Sequence, residues 1–308
     1  MKASSFTIVT PVDFGLALTV RSHGYYQTPP FGWDGAKGVF SIAMRLPGGE
    51  PFIACVKENG AGSLRVTFPG GLDDEQKREA RRVVSHCLKL DEDLSGFHSL
   101  CVKTEKFRDA ERLGAGRLLR SPTVFEDIVK AQLSTNVAWK QAVRMIHNLC
   151  QLGAKVPGSD RRIFPEPGVI LSAGDAWLRE NGRVGYRAGY VIALCAKVVD
   201  GSLDLSRVDR GEIRGDDLKR LFISIKGVGK STAHYLLMLH GEYSHLSIDS
   251  ATHALMRKIT GKEMSDAQIE ARYRRWGKYK ALALWYEWVT VSGWLDRAEN
   301  GAIIPNGA

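Results

Sequence analysis

Apolar and polar residues alternate through roughly residues 1–70, and a period of two predicts β-strands. The runs 6–9, 16–20, 39–44, 52–56 and 63–68 are the strand candidates. Gly48-Gly49 and Asn59-Gly60 punctuate neighbouring runs, so an antiparallel sheet is expected. At residues 72–88 the period lengthens to that of a helix, with Asp73 and Asp74 placed where a helix N-terminus favours carboxylates. From Pro122 onward helical periodicity takes over. Thr123 followed three residues later by Glu126 is a helix entry signal, and helices are expected over 123–136, 139–152, 167–180 and 186–200. More follow over 216–224, 231–240, 250–260, 266–276 and 280–295. The fold class is therefore α+β: a β-rich unit over 1–115 with one or two helices, a helical unit over 116–298, and a loose tail over 299–308.

Between two of these helices lies Ile225-Lys226-Gly227-Val228-Gly229-Lys230-Ser231-Thr232-Ala233. Two glycines permit a tight hairpin and a close backbone approach to a ligand. The second helix then opens with unpaired amides and its positive dipole end, a seat for phosphate. Lys230 adds a charge, and Ser231 and Thr232 add hydroxyls. Such a device, spanning Gly227, Val228, Gly229 and the three residues after them, holds a nucleic-acid backbone without reading its bases. Asp249 stands alone twenty residues after Gly229, just before a predicted helix. Its residue type suits two tasks, capping that helix or facing a developing positive charge.

Composition adds a partner and removes some chemistries. The formal net charge is +9, with Lys and Arg spread among the helices, which favours a folded basic face and a polyanionic partner. The five cysteines are widely spaced and form no C-x-x-C pair, so neither a zinc site nor an iron–sulfur cluster is expected. Their odd number and the lack of a signal peptide point to reduced thiols in an intracellular protein. No apolar run is long enough for a membrane span.

The hairpin with its downstream aspartate resembles the motif of the helix-hairpin-helix DNA glycosylase superfamily. Residues 125–149 look like the superfamily helix that carries a DNA-inserted residue. Gly185-Tyr186-Arg187-Ala188-Gly189-Tyr190-Val191 is similar to a segment of eukaryotic 8-oxoguanine DNA glycosylase. Residues 187–203 and 275–294 are similar to bacterial 3-methyladenine DNA glycosylase II. The resemblance spans about residues 115–295, and the β-rich part matches the extra domain of those two branches. It implies a helical core of two subdomains with a cleft between them. It also implies a monomer acting on double-stranded DNA that contains a damaged base, in the cytoplasm or nucleoid of a bacterium or the nucleus of a eukaryote.

The resemblance also distributes roles. Asp249 matches the catalytic aspartate, which stabilises an oxocarbenium-like sugar and assists water as the N-glycosidic bond of a flipped nucleotide is hydrolysed. Bifunctional glycosylase/lyases carry a lysine nucleophile where this chain has Ser231. Lys230 lies one position earlier, about 100° round the helix. A monofunctional enzyme leaving an abasic site is therefore expected, with a lyase acting through Lys230 as the alternative. A DNA-structure binder without catalysis is the alternative from another class. Asn136, Tyr186 and Arg187 match the wedge and orphan-base positions, although local backbone satisfaction explains Asn136 equally well. A second arginine of the 8-oxoguanine branch is replaced here by Gln141. Trp139, Ser231, Tyr235 and Trp288 match the base pocket, whereas Trp285 and Trp294 are expected in the core. Alkylated purine is the leading substrate class and oxidised purine the second. Adenine glycosylases share the serine, but their glutamate position holds Gln132. The reaction requires no cofactor; relatives can hold a monovalent cation on the hairpin carbonyls.

Overall fold

A computed structural model describes residues 3–291. Trp294, the end of the last predicted helix and the tail lie outside the described residues. Five strands, β1 (Ala3–Val9), β2 (Phe31–Asp34), β3 (Val39–Met44), β4 (Phe52–Glu58) and β5 (Ser63–Pro69), form one antiparallel sheet in the order β1-β5-β4-β3-β2. The alternation is physical: Phe52, Ala54 and Val56 of β4 are buried with Leu64, Val66 and Phe68 of β5. A one-residue slip would turn both rows to solvent.

Residues 16–20, expected as a strand, are instead α1 (Leu16–Val20). The topology explains the difference. β1 pairs with β5 at one edge while β2 occupies the other, so the chain between them must cross the sheet rather than join it. Leu16, Leu18, Thr19 and Val20 are all buried, so burial there follows no alternation. Glu58 Oε1 accepts the Leu16 N–H at 3.1 Å and fixes the start of the turn. The same crossing segment ends in a short 3-10 turn, Gly24–Gln27.

The helices follow as α2 (Asp74–Leu88), α3 (Ser95–Val102), α4 (Val124–Leu133), α5 (Trp139–Leu149), α6 (Pro167–Glu180) and α7 (Ala188–Val199). Then come α8 (Ser206–Asp209), α9 (Gly215–Ser224), α10 (Lys230–Leu239), α11 (Ser250–Thr260), α12 (Asp266–Tyr273) and α13 (Lys280–Val291). α2 opens with a capping box. Asp73 Oδ1 accepts the Gln76 N–H at 2.8 Å, and Gln76 Oε1 accepts the Asp73 N–H at 3.2 Å. Such a cap contributes about 1 kcal/mol. Ala80, Val83, Val84, Cys87 and Leu88, spaced along one helix face, bury against the sheet's core.

The apolar interior of the described residues divides into two large cores and a small third cluster of Ala43, Val156 and Ile163. One core joins the sheet, α2 and α3 to the last helices, including Leu255, Ile269, Trp276 and Leu282. The other belongs to the middle of the chain, from Val124 to Leu237. α10 serves both, with Leu236 and Leu237 in the second core and Leu239 in the first. The first and last parts of the chain thus share one interior, and the hairpin helix sits on the seam.

A buried polar cluster binds the two halves beside that seam. Asp127 of α4 is fully buried; its Oδ1 accepts the Ser121 N–H at 2.9 Å and its Oδ2 lies 3.3 Å from His240 Nε2. Lys130, also fully buried, donates to Ser121 Oγ at 3.0 Å and faces the rings of Tyr25, Phe31 and Phe164. Burial pulls its amine below the usual lysine range and pushes the neighbouring Glu126 carboxyl up to about 8.

Candidate active site

The hairpin forms as its residues require. Gly227 has φ +83°, and a Cβ there would lie 2.4 Å from the Tyr190 ring, so only glycine is accommodated. Val228 turns inward, with its N–H on the Ile225 carbonyl at 3.0 Å. Gly229 is the extended N-cap of α10 and supplies no side-chain cap. The first amides of α10, at Lys230, Ser231 and Thr232, therefore open toward the exposed face that carries Lys226 and Lys230. Gln132 of α4 reaches across and donates to the Lys226 carbonyl at 2.8 Å. The Ile225 and Lys226 carbonyls are thereby engaged within the protein.

Asp249 caps α11: its Oδ1 accepts the Thr252 N–H at 2.9 Å. The residue is exposed, and Oδ2 has no partner among the described residues. Capping and facing a ligand are therefore compatible, one oxygen for each. Ser231 comes within reach of the same segment, with Ser231 Oγ 2.9 Å from Ser247 Oγ.

An aromatic cluster occupies the seam on the same face of α10, since Tyr235 lies one turn beyond Ser231. Tyr25 packs nearly parallel to Trp139, with centroids 6.3 Å apart and planes at 17°, and meets Tyr235 edge-on at 6.1 Å. His23 joins both tyrosines, at 4.6 Å and 6.0 Å. The Leu119 carbonyl beside His23 Nε2 can only accept, so Nε2 carries the proton and Nδ1 is bare. Tyr235 therefore donates its hydroxyl to His23 Nδ1, at 3.1 Å. Burial keeps this imidazole neutral, lowering its pKa to about 4. Trp139 Nε1 donates to Gln27 Oε1 at 2.8 Å, and the indole lies flush on Gly24. Trp288 is half-buried and packs against the first core, as Trp139 and Tyr235 do. Trp285 is buried and donates to the Ser22 carbonyl at 2.7 Å, in the core as expected.

Sequence reasoning missed His23, Tyr25 and Gln27. They arrive on the sheet-crossing segment, far in sequence from every other member. The only local signal was the aromatic and glycine–proline density of His23-Gly24-Tyr25-Tyr26-Gln27-Thr28-Pro29-Pro30.

The wedge residues divide. Asn136 is exposed with φ +51°, and its amide lies 3.5 Å from the Tyr186 hydroxyl. Tyr186 projects outward, 50% exposed. Arg187, matched to an orphan-base position, is 5% exposed, and its Nε and Nη2 both donate to the Thr135 carbonyl. Its guanidinium is also covered by the Tyr186 ring, 4.6 Å away. Arg187 thereby holds the turn that presents Asn136. No group of three or more His, Cys, Asp or Glu suited to a metal occurs among the described residues.

No protein-family model and no curated protein matches the sequence. Solved structures do match in shape. A 3-methyladenine DNA glycosylase from Archaeoglobus fulgidus superposes with a TM-score of 0.76 at 19% identity, covering 93% of this chain and 98% of that one. MBOgg1, solved in complex with a low-affinity DNA ligand, gives 0.74 at 19% identity, covering 95% and 99%. The apo 8-oxoguanine glycosylase/lyase of Clostridium acetobutylicum gives 0.70 at 16%, covering 93% and 95%. Along nearly its whole length, then, this chain has the fold of the DNA glycosylases it superposes on.

Proposed function

We propose that this protein is a monofunctional DNA glycosylase, acting as a monomer on duplex DNA that contains a damaged base. The observation that carries the reading is the union of hairpin and carboxylate. α10 begins with uncapped amides, and its first turn is tied by Ser231 to the segment that presents Asp249 with one oxygen open. Backbone phosphates sit on those amides and beside Lys230. The damaged nucleotide leaves the stack, with Tyr186 and Asn136 taking its place. As the C1′–N bond breaks, its electron pair leaves with the base and positive charge gathers on the sugar. Asp249 opposes that charge and orients the water that adds to C1′, taking up its proton.

Ser231 supports hydrolysis without a lyase step, since a hydroxyl cannot form the Schiff base that an amine forms. Alkylated purine is the favoured substrate. Trp139, Tyr235 and Trp288 offer aromatic faces to a cationic base, and His23 beside Tyr235 is neutral. Oxidised purine stands second, on Asn136 and Tyr186. The step needs no cofactor, and none of it depends on an ion at the hairpin.

The test is incubation with duplexes bearing alkylated, oxidised or deaminated bases, with and without alkaline cleavage. Base release from an alkylated purine with strand scission only after alkali is the expected result. Scission without alkali, trapped by borohydride, overturns the monofunctional assignment; no base release from any duplex overturns the enzyme.

A further inference from the structure

Residues 240–249 connect α10 to α11 and carry Asp249 at their end. α10 fastens this connection at neighbouring points. Ser231 Oγ and Ser247 Oγ are 2.9 Å apart, and Ser247 Oγ also lies 3.0 Å from the Ser231 carbonyl. One turn further, His234 Nδ1 donates to the Leu246 carbonyl at 2.8 Å. α11 closes the arrangement from the other side. Thr252, buried, donates its Oγ1 to the Ser247 carbonyl at 2.9 Å while its N–H goes to Asp249 Oδ1 at 2.9 Å. Ser231, Ser247, Thr252 and Asp249 are thus consecutive links of one hydrogen-bonded chain.

We propose that Ser231 is a positioning residue: by holding Ser247, and through it Thr252, it fixes the orientation in which Asp249 faces DNA. The inference rests on the glycosylase reading above and gives Ser231 a task other than lining the base pocket. The Ser231 carbonyl takes the one Ser247 hydroxyl proton, so the side chain at 231 must be short and must donate to Ser247 Oγ. Ser247 has one proton and two acceptor sites, and Ser231 supplies it with an acceptor carbonyl and a hydroxyl from a single residue. A lysine amine at 231 that donated to Ser247 Oγ would have to release it before acting as a nucleophile. The latch and an amine nucleophile are therefore mutually exclusive at this position. With Oδ1 held by Thr252, the carboxylate keeps one rotamer and its remaining oxygen stays aimed outward; without the latch the 240–249 connection has fewer anchors and Asp249 samples others.

The test uses the full chain carrying Ser231→Ala, Ser247→Ala, both together, or Ser231→Thr. Three quantities are read: single-turnover base release from the duplex the wild type processes, affinity for a duplex with a tetrahydrofuran abasic analogue, and hydrogen exchange at the Thr252 and His253 amides. Each alanine variant is expected to slow base release about tenfold, the equivalent of one hydrogen bond. Affinity for the analogue holds, and Thr252 exchanges faster. The double variant is no slower than Ser247→Ala, because that variant already removes both bonds between the two residues. Ser231→Thr, which keeps the hydroxyl, recovers most of the lost rate. Unchanged base release, additive losses, unaltered Thr252 exchange, or parallel falls in rate, affinity and melting temperature would each overturn the proposal. A wild type that releases no base from any duplex refutes the glycosylase reading and the catalytic purpose with it, while the exchange data still decide whether the latch exists.

Discussion

Replacing Gly24 with alanine sets a new methyl group against the Trp139 indole. The added Cβ would lie 2.3 Å from both Cε2 and Cζ2 and 2.7 Å from Nε1. Carbon atoms pack best at about 3.5–4.0 Å, so the ring must retreat by more than about 1 Å. The retreat costs the Trp139–Gln27 hydrogen bond, about 1 kcal/mol, and the near-parallel packing on Tyr25, about another 1 kcal/mol. A loss of about 2 kcal/mol lowers the melting temperature of a chain this size by roughly 3 °C. Thermal melts of Gly24→Ala, Trp139→Ala and the double variant provide the assay. Because the three atoms nearest the methyl all belong to the indole, Gly24→Ala should cost far less once Trp139 is alanine. Base release should slow in Gly24→Ala as the pocket wall shifts. A variant that melts like the wild type, or costs that simply add, would refute the claim that the crossing segment and α5 meet at this contact.

Gly227→Ala combines a left-handed φ of +83° with a Cβ 2.4 Å from the Tyr190 ring, so the hairpin must reshape. Affinity for undamaged duplex at low salt should fall about tenfold, and titration by fluorescence anisotropy would expose an unchanged value. His23 gives a pH dependence with a definite sign. Its folded pKa is about 4 against an ordinary 6.5, so as pH falls below 6.5 the unfolded chain takes up a proton that the folded chain refuses until about pH 4. Stability present above pH 6.5 is thus lost on acidification, by about 2–3 kcal/mol at pH 4.5. His23→Gln should flatten the difference between urea melts at pH 7.5 and 4.5 by about that much, and an identical slope in the variant would count against a buried neutral imidazole.

The hairpin and Asp249 were legible in the sequence because they are local. Two glycines, a cap residue and flanking helical periodicity fall within one short stretch, and each has a physical reason to be where it is. Four of the five strand candidates were legible for the same reason, a period of two that burial then realised. Residues 16–20 were not, because a five-residue apolar run fits either element and only the sheet's edge-to-edge crossing decides. The division of the interior was hidden too: nothing near Leu282 announces that it packs with the sheet. Arg187 illustrates the limit most sharply. Its type suits a base edge, yet the carbonyl of Thr135, fifty-two residues away, takes its donors. Ser247 carried no motif, and its meaning comes entirely from Ser231 lying across from it.

The most direct test of the account is Asp249→Asn, measured for base release from a lesion-bearing duplex alongside binding to the abasic analogue. Asparagine caps a helix about as well as aspartate, so α11 and its neighbours stay in place while the negative charge is lost. Base release should fall by at least about a hundredfold, with binding and melting temperature nearly unchanged. Base release at the wild-type rate in Asp249→Asn would contradict the assignment of that carboxylate to the reacting sugar.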